Sequence, residues 1–361
     1  MRVDGRAMRT IWPLDDGAAV GIIDQTRLPH EFVVVRLETL EDAARAISDM
    51  QVRGAPLIGA TAAFGMALAM RAGADDAALD GAVARLTATR PTAVNLRWAL
   101  TRMRAALAPL PAARRPEAAA ALACAIADED VAINAAIGEH GLALLRQLSA
   151  RKAGRLDILT HCNAGWLATV DWGTATAPIY KAHDAGLDLH VWVDETRPRN
   201  QGAALTMWEL MNHGVPCTLI ADNAGGHLMQ QGRVDLCLVG TDRVAANGDV
   251  CNKIGTYLKA LAAADNGVPF YVAAPSPSID LSIAAGHATP IEERAAEEVT
   301  HVPGRGADGR AQLTRIAPAG ARAANPAFDV TPARLVAGLI TERGLTPARG
   351  ESLATFGAPP H

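Results

Sequence analysis

Two residues in this chain have types suited to moving protons on a small molecule: Cys162 in Thr160-His161-Cys162-Asn163-Ala164-Gly165, and Asp242 in Gly240-Thr241-Asp242-Arg243. Each closely follows a short apolar run, Asp157-Ile158-Leu159 and Leu236-Cys237-Leu238-Val239, of the length and type of a buried strand. The turn after Cys162 brings backbone N–H groups near the thiol, and a helix following that turn is expected to lower its pKa. An acid at Asp242, if burial keeps it protonated, can donate to a leaving oxygen. Beyond a polar loop at 242–249, Asn252 and Lys253 are expected to open a helix over 253–264. The free N–H groups of that helix and the Lys253 charge would favour an anion. This is acid–base chemistry on a small phosphorylated molecule.

Two more stretches carry the same kind of signal. Arg53-Gly54-Ala55-Pro56 stands where Pro56 fits the first turn of a helix running to about Met70. Arg90 precedes Pro91, which disfavours helix at Arg90, and Thr92 can cap a helix carrying Val94, Leu96, Trp98 and Leu100. An arginine beside exposed N–H groups is an anion site in the making.

These side chains need a frame. Residues 8–38 hold short apolar or alternating runs, Thr10–Trp12, Ala19–Ile23 and Phe32–Val35, which predict a small antiparallel sheet. Helices follow over 40–50, 55–70 and from 94, with a longer one over 116–149. Residues 1–150 therefore form an N-terminal sheet-plus-helix domain, and the basic stretch 150–155 reads as a linker. From Leu156 the pattern becomes strand, loop, helix, repeated, with strands at 157–159, 189–193, 217–220, 236–239 and 269–272. Residues 151–361 thus read as a Rossmann-like parallel-sheet domain, and the fold class is α/β. Ligands in such sheets sit beyond the carboxyl ends of the strands. A cysteine, several carboxylates and two arginines share that rim: Cys162, Asp194, Glu195, Arg197, Asp222, Asp242 and Arg243.

Composition sets the limits. Half of the 361 residues are hydrophobic and a fifth are charged, enough for a packed core. The formal net charge of −4 gives no case for nucleic acid. The N-terminus lacks an apolar signal core, and the run 59–70 is too short to span a bilayer. The 5 cysteines show no CxxC pair, which points to a reduced, cytoplasmic protein without a zinc cluster. Gly304-Arg305-Gly306-Ala307-Asp308-Gly309 matches GxGxxG literally but follows no strand and opens no helix, so it is not read as a dinucleotide site. The histidines lack metal-ligand spacing; His161 stands out only as the neighbour of Cys162.

The segments RGAPLIGATAAFG (53–65), RPTAVNL (90–96), THCNAG (160–165), DETRPRNQG (194–202), GTDRVAANGDVCNKIGTY (240–257) and FDVTP (328–332) resemble those of the methylthioribose-1-phosphate isomerase family. The likeness runs from about Met8 to Gly344. It implies a small N-terminal sheet-plus-helix domain, a Rossmann-like C-terminal domain, a homodimer and a place in methionine salvage. Residue by residue it implies a catalytic pair, Cys162 and Asp242, with Asp242 as proton donor. Arg53, Gly54, Ala55, Arg90, Gln201, Asn252 and Lys253 would hold the substrate and its phosphate. The implied substrate is a furanose phosphorylated on its anomeric carbon, so an acid must assist ring opening. Hydrogen then moves from C2 to C1, either as a proton shuttled by Cys162 or as a hydride. Neither route needs a metal or redox cofactor. Trp12, residues 20–23 and Trp166 are expected to supply an apolar pocket for the methylthio group, and 302–324 reads as a surface excursion. Two relatives of the same fold are the alternatives: ribose-1,5-bisphosphate isomerase, and regulatory subunits of the translation initiation exchange factor.

Overall fold

A computed structural model describes residues 1–14, 17–91 and 93–356. Thr92, expected as a helix cap, lies outside the described residues. The chain opens with a two-stranded ribbon, β1 (Arg2–Val3) and β2 (Arg6–Ala7). A three-stranded antiparallel sheet follows: β3 (Ile11–Leu14), β4 (Ala19–Ile23) and β5 (Val34–Leu37), the last starting two residues later than its sequence suggests. Then come α1 (Leu40–Ser48), α2 (Ala55–Ala72), α3 (Asp76–Thr87), α4 (Val94–Leu107) and the 35-residue α5 (Arg115–Ser149). Helix α2 is apolar all round and sits at the centre of the first core, where Leu57, Ile58, Phe64, Met66 and Met70 meet β3, β4, α1, α3, α4 and the first half of α5. It is long and apolar enough to cross a membrane, and most of it is buried inside the protein.

The second half of the chain builds a seven-stranded sheet with the order β18-β17-β12-β9-β6-β7-β8. Its strands are β6 (Leu156–Thr160), β7 (Leu189–Asp194), β8 (Cys217–Ile220), β9 (Leu236–Val239), β12 (Phe270–Ala273), β17 (Gly338–Thr341) and β18 (Gly344–Thr346). All neighbours pair in parallel except β17 and β18. Alternate residues of one strand serve opposite faces. Ile158 packs with α5, α6 (Thr176–Asp184) and α7 (Met207–His213), while Leu159 packs with α8 (Ala224–Gln230) and α9 (Thr256–Asp265).

Between β9 and α9 the chain departs from the sequence expectation. The stretch read as a polar loop followed by a helix start holds an antiparallel pair, β10 (Arg243–Ala245) and β11 (Val250–Lys253), in a four-stranded sheet with β13 (Ile279–Asp280) and β16 (Phe328–Thr331). Lys253 therefore ends a strand; the helix begins three residues later. The excursion at 302–324 contains a hairpin, β14 (His301–Arg305) with β15 (Ala311–Arg315), and its GxGxxG stretch spans the turn of that hairpin. The six residues between α5 and β6 are tied down, because Lys152 pairs with Asp235 at 2.6 Å.

Candidate active site

Strands β6 and β9 are neighbours, yet from β6 the sheet grows one way through β7 and β8, and from β9 the other way through β12 and β17. That is the switch point of a doubly wound sheet, where a crevice opens beyond the strand ends. Cys162 follows β6 and Asp242 follows β9, so both line this crevice. Arg53, Gly54, Ala55, Arg90, Gln201, Asn252 and Lys253 line the same cavity. Residues from both halves of the chain thus converge as the sequence expectation requires.

The Cys162 turn is over-determined. Its backbone adopts φ +65°, and facing Thr196, beyond β7, adopts φ +64°. The Cys162 N–H donates to the Thr196 hydroxyl at 2.8 Å, and the Thr206 hydroxyl donates to the Cys162 carbonyl at 2.7 Å. The thiol lies 3.4 Å from the Gln201 side-chain oxygen. Asn163 links the turn to both sides: Arg53 donates to its side chain and, at 2.7 Å, to its carbonyl. The Asn163 amide donates to Thr206 and to Glu209, each at 3.1 Å. Glu209, on α7 and only 2% exposed, also accepts the Leu167 N–H at 3.0 Å, and burial pushes its pKa up to about 8. Thr196 lies within the segment 194–202 that carries the family resemblance, whereas Glu209 and Thr206 carried no signal in the sequence beyond being polar.

The expected lowering of the Cys162 pKa does not occur. Only a three-residue 3-10 turn, Trp166–Ala168, follows directly, and the thiol is 7% exposed. Burial raises its pKa, with nearby Arg53 and Lys253 pulling the other way and Asp242 pushing with burial.

The cations come from two loops and the end of a strand. Arg53 precedes Gly54, whose φ of +93° and position against Ala168 admit only glycine; a Cβ there would lie 2.4 Å from the Ala168 carbonyl oxygen. Helix α2 has no side-chain cap, so its first N–H groups are left to the cavity that Gly54, Ala55 and Pro56 line. Arg90 approaches from the loop before α4, its guanidinium 3.4 Å from Glu292. Lys253 is 7% exposed and its ammonium lies 4.7 Å from the centroid of the Phe328 ring. Burial lowers the pKa of all three. Neighbouring Asn252 donates to the Thr256 hydroxyl at 3.0 Å.

The N-terminus of α9 is not an anion site. Asp329, on β16 and paired with Asn252, accepts the N–H groups of Gly255 at 2.7 Å and Tyr257 at 3.1 Å. The charge that Lys253 offers is therefore its own, without a helix dipole behind it. Asp242 is half-buried, its N–H on the Cys251 carbonyl at 3.0 Å.

His161 faces away from the cavity into a buried network. Its Nε2 is 2.9 Å from the Ile254 carbonyl, which can only accept, so Nε2 carries a proton. Its Nδ1 meets Asp194 at 2.8 Å, and Lys259 approaches the same carboxylate at 3.2 Å. His161, Asp194 and Asp222 come together closely, and the Lys259 ammonium pairs with the Asp194 carboxylate and donates to the Asp222 backbone carbonyl. His161 and Asp194 link the ends of β6 and β7, and Asp222 accepts the N–H groups of Thr196 and Arg197, each at 2.7 Å.

Trp166 and residues 20, 22 and 23 lie in the hydrophobic cores, and Trp12 packs against one of them, so none forms the expected methylthio pocket. An apolar groove instead adjoins the cavity, shares Met50, Arg53 and Gln201 with it, and is lined by Leu28, Leu205 and Leu313.

A thiol, an aspartate side chain and several buried cations thus meet in one cavity at the switch point of an α/β fold. The chain belongs to the Initiation factor 2 subunit family, matched over residues 51–348. It is 63% identical to a methylthioribose-1-phosphate isomerase of Methylocella silvestris, over 98% of each chain. Among solved structures it resembles the 5-methylthioribose 1-phosphate isomerase of Pyrococcus horikoshii, with 42% identity, a TM-score of 0.84, and 97% and 96% of the two chains covered. It also resembles the translation initiation factor eIF-2B, subunit delta, of A. fulgidus, with 38% identity, a TM-score of 0.81, and 97% and 99% covered.

Proposed function

We propose that this protein is an aldose–ketose isomerase that converts 5-methylthioribose 1-phosphate to 5-methylthioribulose 1-phosphate in methionine salvage. The observation that carries this reading is the single cavity in which a thiol, an acid and buried cations meet. A regulatory subunit would have no use for that set. Arg53, Arg90 and Lys253 hold the phosphate, with the open end of α2 contributing N–H groups. Gln201 and Asn252 fix the sugar.

Asp242 donates its proton to the ring oxygen as the bond from that oxygen to C1 breaks, leaving a cation shared between C1 and the phosphate-bearing oxygen. A hydride then passes from C2 to C1. The C2 hydroxyl returns a proton to the Asp242 carboxylate, and the ketone is complete. C1 is reduced and C2 oxidised within one molecule, so no external redox partner takes part. The buried, protonated thiol of Cys162 favours this route over the proton shuttle, which needs a thiolate at C2. Cys162 instead provides a neutral, polarisable wall beside the cation.

The far end of the substrate meets the groove of Leu28, Met50, Leu205 and Leu313. The cations near it are already engaged, Arg27 with Glu31 and Arg199 with Glu298. That suits a thioether and not a second phosphate, which disfavours ribose 1,5-bisphosphate. Incubation with each sugar phosphate and detection of ketose decides the matter: rapid product from methylthioribose 1-phosphate alone is expected, and turnover of neither would overturn the proposal. We further propose that the enzyme is a cytoplasmic homodimer, since Leu219 on the sheet-edge strand β8 and Met211 on α7 are exposed. Sedimentation as a monomer at micromolar concentration would contradict the dimer.

A further inference from the structure

One buried guanidinium in the cavity is not used by the chemistry above. Arg294 lines the same wall as Arg90 and Lys253, and its side chain is 8% exposed. Its hydrogen bonding is poor. Among the described residues Nε has no hydrogen-bond acceptor, although Glu292 Oε1 lies 3.2 Å away. One terminal nitrogen reaches Glu292 at 3.5 Å, the outer limit of a hydrogen bond, and the other faces the Met50 sulfur at 3.7 Å, a weak acceptor. Arg115, also buried, shows what a structural arginine looks like in this fold: its guanidinium donates to Ala74, Asp76, Leu107, Ala108 and Leu110 at 2.6–3.1 Å. A buried cation held so loosely is costly unless something else completes it.

The surroundings say what completes it. Glu292 stands between Arg90 and Arg294, one carboxylate for two guanidinium groups. Arg53, Arg90, Lys253 and Arg294 stand with Asp242, the proton donor above, so Glu292 is the carboxylate left to offset them and positive charge is in excess. A phosphate monoester, carrying nearly two negative charges at neutral pH, offsets most of that excess. The Arg294 charge disfavours protonation of both Arg90 and Lys253, so the three lie within electrostatic reach of one another. The loop is also well placed: Arg294 N–H donates to the Asn325 carbonyl at 3.0 Å and Ala327 N–H to the Glu292 carbonyl at 2.8 Å. This fastens it beside β16, which carries Phe328 under Lys253.

We propose that Arg294 is a further substrate-binding residue, a fourth cation on the phosphate, held in place by Glu292. The assignment rests on the reading above in taking a phosphate ester as the ligand. The test uses the full chain with inorganic phosphate as calorimetric ligand, and steady-state kinetics with methylthioribose 1-phosphate. Arg294→Gln should weaken phosphate binding and raise KM by about 10- to 100-fold, with kcat changed far less. Arg294→Lys, which keeps the charge and loses the fork, should recover part of both. Circular dichroism establishes that each variant is folded; if Arg294→Gln is not, Arg294→Lys alone must show the two losses in parallel. Unchanged phosphate affinity, or a loss confined to kcat, overturns the proposal. If the wild-type protein turns over no methylthioribose 1-phosphate while phosphate binding still depends on Arg294, the isomerase reading fails and this one stands.

Discussion

Replacing Lys253 by methionine tests the site from two directions at once. The ammonium is buried, and among the described residues it has no hydrogen bond or ion pair, only the Phe328 ring. Burial is the largest cause of its lowered pKa, and Arg53 and Arg294 add repulsion. Lys253→Met keeps the stem volume and removes the charge. Losing a desolvated partner of the phosphate costs roughly 2–5 kcal/mol, about 30-fold to several-thousand-fold in affinity. The free protein should respond oppositely. A lysine whose folded pKa lies below its unfolded value carries a stability penalty that is full below the folded pKa. The penalty vanishes above the unfolded pKa of about 10.4. The variant should therefore melt higher than wild type at neutral pH, by the equivalent of roughly 1–4 kcal/mol, with the gain shrinking as pH rises toward the alkaline limit. Substrate KM and thermal melting between pH 7 and 10 read out both effects. An unchanged KM would remove Lys253 from the phosphate site, and a lower melting temperature would show that the ammonium is stabilised by its surroundings, refuting the electrostatic argument.

Asp242→Asn should lower kcat by roughly 10²- to 10⁴-fold while product still binds, because shape survives and the transferable proton does not; near-normal turnover would assign the acid to another group. Turnover in deuterium oxide should leave C1 of the ketose free of deuterium, as a hydride never meets solvent, whereas mass spectrometry showing stoichiometric label would restore the proton shuttle. Gly54→Ala drives a Cβ into the Ala168 backbone at a positive φ, and should destabilise the fold by roughly 1–3 kcal/mol and raise KM by displacing Arg53. A variant with wild-type melting and kinetics would mean that this contact relaxes freely.

Much of the frame was readable because its signals are local. The apolar runs before Cys162 and Asp242 gave the two strands flanking the switch point, and Pro56 gave the start of α2. What escaped the sequence depends on partners far along the chain. Val250–Lys253 is a strand because β16 pairs with it about eighty residues later, and nothing within the polar stretch around Asn252 announces that pairing. The same distance hid the capping of α9 by Asp329. Arg294 sits in Glu292-Glu293-Arg294-Ala295-Ala296-Glu297, a composition that reads as solvated surface. The thiol pKa was misjudged because burial outweighs any turn of N–H groups, and burial belongs to the packed protein.

Helix α5 has a kinetic consequence. Its first half, with Ala119, Ala123 and Ile126, packs into the N-terminal core, and its second half, with Ile137, Leu142 and Leu145, packs under the parallel sheet. One unbroken rod thus belongs to both lobes, and swinging one lobe against the other would mean bending it along with the ladder of hydrogen bonds inside it. The reach of Arg53 across to Asn163 is therefore set before any ligand arrives. The rim carries a tie of its own, where Arg305 of the β14–β15 hairpin donates to the His30 carbonyl at 2.6 Å. Rim segments of that size move in nanoseconds to microseconds, faster than lobes close. A rod shared in this way favours motion of the rim over motion of the lobes.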